Sequence, residues 1–202
     1  DEETLELMAR TIRKIDALSG PVTGALQVAR SGSVNLESID LRTPLRAAVQ
    51  MALPAFRERG ATLDSAGAEG EPIEIRGDAS ALERLFLNLL FNAAQALETG
   101  GQTAVTVQPL EDEVTVWFED TGKGIESEDL ERIFDPFYST RPDGTGLGLA
   151  IARRITEAHG GSLSVESEAG FGTKVTVSLP NGKNASSAPR PDAGNESWSR
   201  SQ

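Results

Sequence analysis

The stretch from Ala79 to Glu98 constrains the fold more than any other, because it carries two unlike faces at once. Leu82, Leu85, Phe86, Leu89, Leu90, Ala93 and Leu97 recur at spacings of three and four, which turns them onto one side of an α-helix. A stripe that wide must be buried against something else. Arg84, Asn88, Asn92 and Gln95 fall on the opposite side, four, four and three residues apart. An Asn side-chain oxygen is a hard neutral ligand suited to Mg²⁺; the same face also suits plain solvent exposure. Asp78, or a capping box from Ser80 to Glu83, can open this helix.

The elements around it suggest what the stripe packs on. Thr43-Pro44 supplies an N-cap and a first-turn proline for a helix that Gly60 closes, with Leu45, Ala48, Val49, Ala52 and Phe56 on its apolar face. Short strands are expected at 61–65 and 72–76. Residues 103–109 and 113–119 alternate as strands, with Val114, Val116 and Phe118 on one side. A helix from Leu147 to His159 ends at Gly160-Gly161, and strands at 162–167 and 173–179 follow. Helices layered on one face of a mixed, antiparallel-rich sheet make an α+β fold, a two-layer α/β sandwich.

The flanks read differently. Leu5, Met8, Ile12, Ile15, Leu18, Val22 and Leu26 mark a long N-terminal helix over residues 1–30, close to a coiled-coil seam and interrupted at Gly20-Pro21. One amphipathic helix cannot bury its own stripe, so dimerisation or docking on another segment is expected. Residues 31–40 read as a linker, 41–180 as the folded domain and 181–202 as a disordered tail. The chain starts inside a helical pattern, which reads as a fragment. A formal net charge of −12 repels nucleic-acid phosphates. The absence of cysteine excludes disulfides and thiolate chemistry and fits a cytoplasmic setting. No apolar run reaches the roughly 20 residues a membrane span needs.

Two glycine-rich segments carry the remaining chemistry. Asp120-Thr121-Gly122-Lys123-Gly124-Ile125 follows a strand directly. A carboxylate there can accept a hydrogen bond from an exocyclic amine such as that of adenine, and the glycines let backbone approach a flat ring. A tight turn with a solvated Asp would look the same. Gly144-Thr145-Gly146-Leu147-Gly148 opens a helix, whose N-terminal amides make an anion site. It is neither a Walker loop nor G-x-G-x-x-G. Arg141, just before it, could reach a terminal phosphate.

Taken together these motifs resemble a known family. Asn88-Leu-Leu-Phe-Asn92-Ala93, Asp120-x-Gly122-x-Gly124, Phe134-x-Pro136-Phe137, Gly144-x-Gly146-x-Gly148 and Gly170-x-Gly172-Thr173 look like the N, G1, F, G2 and G3 boxes of sensor histidine kinases of two-component systems. The short loop between Phe137 and Gly144 is similar to the short-lid, nitrogen-regulator-like branch. The resemblance implies the Bergerat ATP-binding fold over 41–180, and the second helix of a dimerisation and phosphoacceptor hairpin in the N-terminal segment.

The resemblance further implies ATP and Mg²⁺ as cofactors. Asn92 would ligate the metal, with Asn88 supporting it, and Asp120 would read adenine. Gly122, Gly124 and Ile125 would shape the base pocket, and Gly170, Gly172 and Thr173 would line its other side. Gly144, Gly146 and Gly148 would let the lid cover the phosphates, with Gln95, Phe137, Arg141, Thr145 and Leu147 completing the set. The implied partners are a phosphoacceptor histidine upstream, a response regulator and, at full length, a second copy. The single histidine, His159, sits at a helix C-terminus, where a cation is favoured; a structural role is expected for it, so the phosphoacceptor is absent from this chain. Related ATPases of this fold, such as gyrase and the heat-shock chaperones, carry Glu where this chain has Asn88, which favours transfer over hydrolysis. A nucleotide-gated interaction module and an ATPase or serine kinase are the alternatives.

Overall fold

The computed structural model describes residues 34–141 and 144–181. The expected N-terminal helix and C-terminal tail lie outside the described residues. The elements in order are β1 (Glu37–Asp40), α1 (Arg42–Glu58), β2 (Thr62–Asp64), β3 (Glu74–Gly77), α2 (Ala79–Ala96), β4 (Gln102–Pro109), β5 (Glu113–Asp120), α3 (Gly148–Ala158), β6 (Ser162–Glu168) and β7 (Gly172–Pro180). Five strands form one mixed sheet in the order β2-β4-β5-β7-β6. The β2–β4 pair is parallel and the rest are antiparallel. β1 and β3 pair separately as an antiparallel ribbon.

The helices cover one face of the large sheet. Every apolar residue expected on α2 is buried, from Leu82 to Leu97, as is the expected face of α1. Phe86 meets Phe118 of β5 with ring centroids 5.9 Å apart, joining helix layer to sheet. Each such fully buried side chain contributes roughly 1.5–3 kcal/mol. Among the described residues no helix is long and apolar enough to cross a membrane.

Two local expectations are corrected and one alternative is decided. Glu37–Asp40, expected as linker, is strand, because Ile39 pairs with Ile75 in a register that only the folded chain provides. Thr43 is not the cap of α1: the helix starts at Arg42, and Asp40 Oδ1 accepts the Arg42 amide at 3.0 Å and that of Ile73 at 3.0 Å. At α2 the cap is Asp78, whose Oδ1 takes the amides of Ser80 and Ala81 at 3.0 Å each, so the capping box is not used.

His159 closes α3 and reaches α2. Its Nε2 accepts the Asp78 backbone amide at 3.0 Å, so the proton sits on Nδ1 and is donated to the Ile155 carbonyl at 2.7 Å. Burial pushes its pKa down, with the Ile155 bond and the Asp78 charge pulling partly back. The imidazole therefore stands at the helix end as a neutral hydrogen-bonding group.

Candidate functional site

Between α2 and the loops that follow β5 lies a cavity of about 1060 Å³. From α2 it receives Asn88, Asn92 and Gln95; from the end of β5, Asp120, Gly124 and Ile125; from β7, Thr173. Arg141, Thr145, Gly146 and Gly148 line the remaining side. The two motifs that each admitted an ordinary reading, an exposed amide row and a tight turn, thus face one space.

Asp120 is held in place before any ligand arrives. Its carboxylate accepts the amide of Gly122 at 2.8 Å and that of Thr173. Burial is the largest influence on it and pushes its pKa up, against the two amides. The loop it opens is fastened to the β6–β7 hairpin: the Ile125 amide donates to Ser167 Oγ at 2.9 Å, and the Gly170 amide to the Lys123 carbonyl at 2.7 Å. Two glycines make that approach possible. At Gly124, with φ 69°, a Cβ would lie 2.0 Å from the Glu168 carbonyl oxygen, and at Gly172, with φ 102°, 2.0 Å from that of Asp120. Only glycine tolerates both the angle and the contact.

On the opposite wall the amide row meets the start of α3. A Cβ on Gly148 would sit 3.4 Å from Asn92 Nδ2 and 3.5 Å from its Oδ1, so the Asn92 amide lies against the first turn of that helix. The side-chain nitrogen of Asn88 is buried and has no hydrogen-bond partner. Burial also pushes the Arg141 guanidinium pKa down, as does the nearby charge of Arg59. Among the described residues Arg141 forms no ion pair. An unpartnered amide and a guanidinium without an ion pair, lining one cavity with the first turn of α3, suit an anion. Among the described residues no group of three or more His, Cys, Asp or Glu could hold a metal alone. A divalent ion here would use neutral amide oxygen together with oxygens of a bound anion, which fits Mg²⁺ chemistry.

Some expected residues are not on the wall. Leu147 is buried in the hydrophobic core, and Phe137 is 55% exposed with its backbone at φ 70°. Gly122, Gly170 and Gly172 shape the walls from behind: a Cβ on Gly122 would lie 2.7 Å from the Ala96 carbonyl oxygen. Conversely Lys123, Asp129 and Tyr138 line the cavity without having been singled out.

Residues 77–183 match the family described as histidine kinase-, DNA gyrase B- and HSP90-like ATPase. The chain belongs to this family. Within it, the sensor histidine kinase ZraS of Klebsiella oxytoca is 35% identical over 181 residues, which is 89% of this chain and 39% of that protein. Sporulation kinase C of Bacillus subtilis is 40% identical over 106 residues, 52% of this chain and 25% of that one. The chain thus spans about two fifths or less of these curated relatives. Among solved structures, the mycobacterial sensor histidine kinase MprB superposes with a TM-score of 0.63 at 28% identity, covering 72% of this chain and 97% of that one. Full-length ShkA in complex with AMPPNP gives 0.73 at 28% identity, covering 89% of this chain and 39% of that one.

Proposed function

We propose that this domain binds Mg-ATP in the cavity between α2 and the glycine loops and passes the γ-phosphate to a histidine on a dimerisation helix, for relay to a response-regulator aspartate. The observation that carries this reading is convergence: the amide-held carboxylate of Asp120, the amides of Asn88 and Asn92, and the guanidinium of Arg141 line one cavity. Full-length ShkA, similar in fold and sequence, is found in complex with AMPPNP.

Each residue then has a task. Asp120 accepts a hydrogen bond from the adenine amine, and Gly124, Ile125 and Thr173 flank the base. The side-chain oxygen of Asn92 holds Mg²⁺, with Asn88 beside it and Gln95 at the rim. Thr145, the backbone at Gly146 and Gly148, and Arg141 hold the phosphates. Bound Mg-ATP supplies the activated phosphoryl group; the chain supplies position and charge, which dominate phosphoryl transfer. Asn88 carries a carboxamide, which cannot take a proton from water, so a neutral imidazole is the favoured acceptor. His159 is buried and occupied at both nitrogens, so the acceptor comes from another segment. The reading puts the domain in the cytoplasm, paired with a second copy at full length.

The test is transfer of label from γ-labelled Mg-ATP to a separately supplied hairpin that bears a histidine. Wild type labels the hairpin and Asn92→Ala does not. Undiminished labelling by Asn92→Ala would overturn the assignment, and steady phosphate release without the hairpin would favour an ATPase.

A further inference from the structure

One polar pair lines the same cavity without a task in that reading. The Tyr138 hydroxyl donates to Asp129 Oδ1, and the Arg132 guanidinium lies 4.2 Å from the centroid of the Tyr138 ring. The neighbouring carboxylate is the main cause that pushes the phenol pKa up, which keeps the hydroxyl protonated and able to donate.

Both ends of this bond are fixed to something. The Asp129 amide donates to the Glu126 carbonyl at 2.9 Å, and its own carbonyl accepts from Arg132 at 2.8 Å and Ile133 at 3.1 Å. That turn follows Ile125, whose amide is held by Ser167, so Asp129 is tied to the β6–β7 hairpin. At the other end the Phe137 amide donates to the Gly146 carbonyl at 2.9 Å. Gly146 has φ 64°, and a Cβ there would sit 2.4 Å from the Phe137 carbonyl carbon and 2.6 Å from the Tyr138 nitrogen. The backbones at 137–138 and at 146 are in direct contact.

The contact carries strain. Phe137 is the only non-glycine with positive φ among the described residues, at 70°. A bulky residue persists in that region only where its surroundings hold it. Its own exposed ring provides little hold, so the restraint comes from Gly146 on one side and the Tyr138 side chain on the other.

We infer that Tyr138 is a positioning residue: its bond to Asp129 fixes Gly146 and hence the amides that open α3, setting the phosphate end of the pocket independently of the base end. The inference rests on the Mg-ATP reading and adds to it a residue outside the motif glycines.

The experiment compares binding of Mg-AMPPNP and of adenosine by calorimetry. Tyr138→Phe removes the hydroxyl but keeps the ring and its stacking on Arg132. We expect its affinity for Mg-AMPPNP to fall about tenfold, the size of one lost charge-assisted hydrogen bond, with adenosine affinity unchanged. Asp129→Ala should match it, the double variant should add nothing, and Asp129→Asn, which keeps an acceptor oxygen, should recover most of the loss. Wild-type affinity for Mg-AMPPNP in Tyr138→Phe would overturn the inference, as would an equal loss of adenosine. A wild-type chain that binds neither ligand would instead remove the underlying reading, and this inference with it.

Discussion

The backbone amide of Asp78 donates to Nε2 of His159 at 3.0 Å, so the residue that caps α2 is tied to the residue that ends α3. These two helices meet on one wall of the cavity, where Gly148 lies against Asn92. Their alignment depends on a bond more than 80 residues apart in sequence. Replacing His159 by Leu keeps apolar bulk but leaves the Asp78 amide without an acceptor. The expected cost is about 1–3 kcal/mol of stability, measured by urea unfolding.

The same pair sets a pH dependence. His159 in the folded chain takes a proton only below its ordinary value of 6.5, whereas the unfolded chain takes it there. Between the two values the unfolded state binds more protons, so stability rises with pH. The contribution is fully present above 6.5 and is lost as pH falls through the folded value. Thermal unfolding should therefore shift downward between about pH 7.5 and about pH 5.5, and His159→Leu should flatten that slope. Asp78, whose pKa is lowered from 3.8, loses its share only at more acid pH.

Asp120 is expected to show function opposed to stability. Burial raises its pKa, so ionisation costs the fold: the folded state binds the proton more tightly, and this term favours folding at low pH and is lost as pH rises through the folded value. Asp120→Asn removes the buried charge and can still accept from Gly122 and Thr173. It should raise the Tm of the ligand-free chain at neutral pH. The same variant should weaken ATP binding by about tenfold or more, since a hydrogen bond to a charged group contributes about 1.5–3 kcal/mol. Melting curves with and without nucleotide separate the two effects.

Two neighbouring glycines give an internal control for backbone strain. Gly170, at φ 83°, has nothing within 4 Å of where a Cβ would stand, whereas Gly172 would place one 2.0 Å from the Asp120 carbonyl oxygen. Gly170→Ala should cost about 1–2 kcal/mol, the left-handed penalty alone. Gly172→Ala should cost more than about 4 kcal/mol and should also abolish nucleotide binding, because Asp120 has to move. Chemical unfolding and nucleotide titration of the two variants check this.

What could be read in the sequence was whatever a local period or a short motif encodes. The stripe on α2 announces its burial through spacing alone, and Asp120 with its glycines occupies consecutive positions. What could not be read depends on distant partners. β1 offers Ile39 as its one apolar residue, and it becomes strand only by pairing with β3. Thr43 does not cap α1: the helix already starts at Arg42, whose amide goes to the Asp40 carboxylate, which also serves Ile73, 33 residues on. Phe137 belongs to a recognisable motif, yet its positive φ turns the chain so that its ring leaves the cavity and Tyr138 enters. Asp129 lies nine residues from Tyr138 in an acidic stretch, with no periodic relation to betray the bond.

The most direct test of the account is calorimetric titration of this chain with AMPPNP, with magnesium and again with excess EDTA, alongside Asn92→Ala. The account predicts one saturable site per chain, weakened about tenfold or more both by chelation and by the substitution. No saturable binding, or binding indifferent to magnesium and to Asn92, would contradict it.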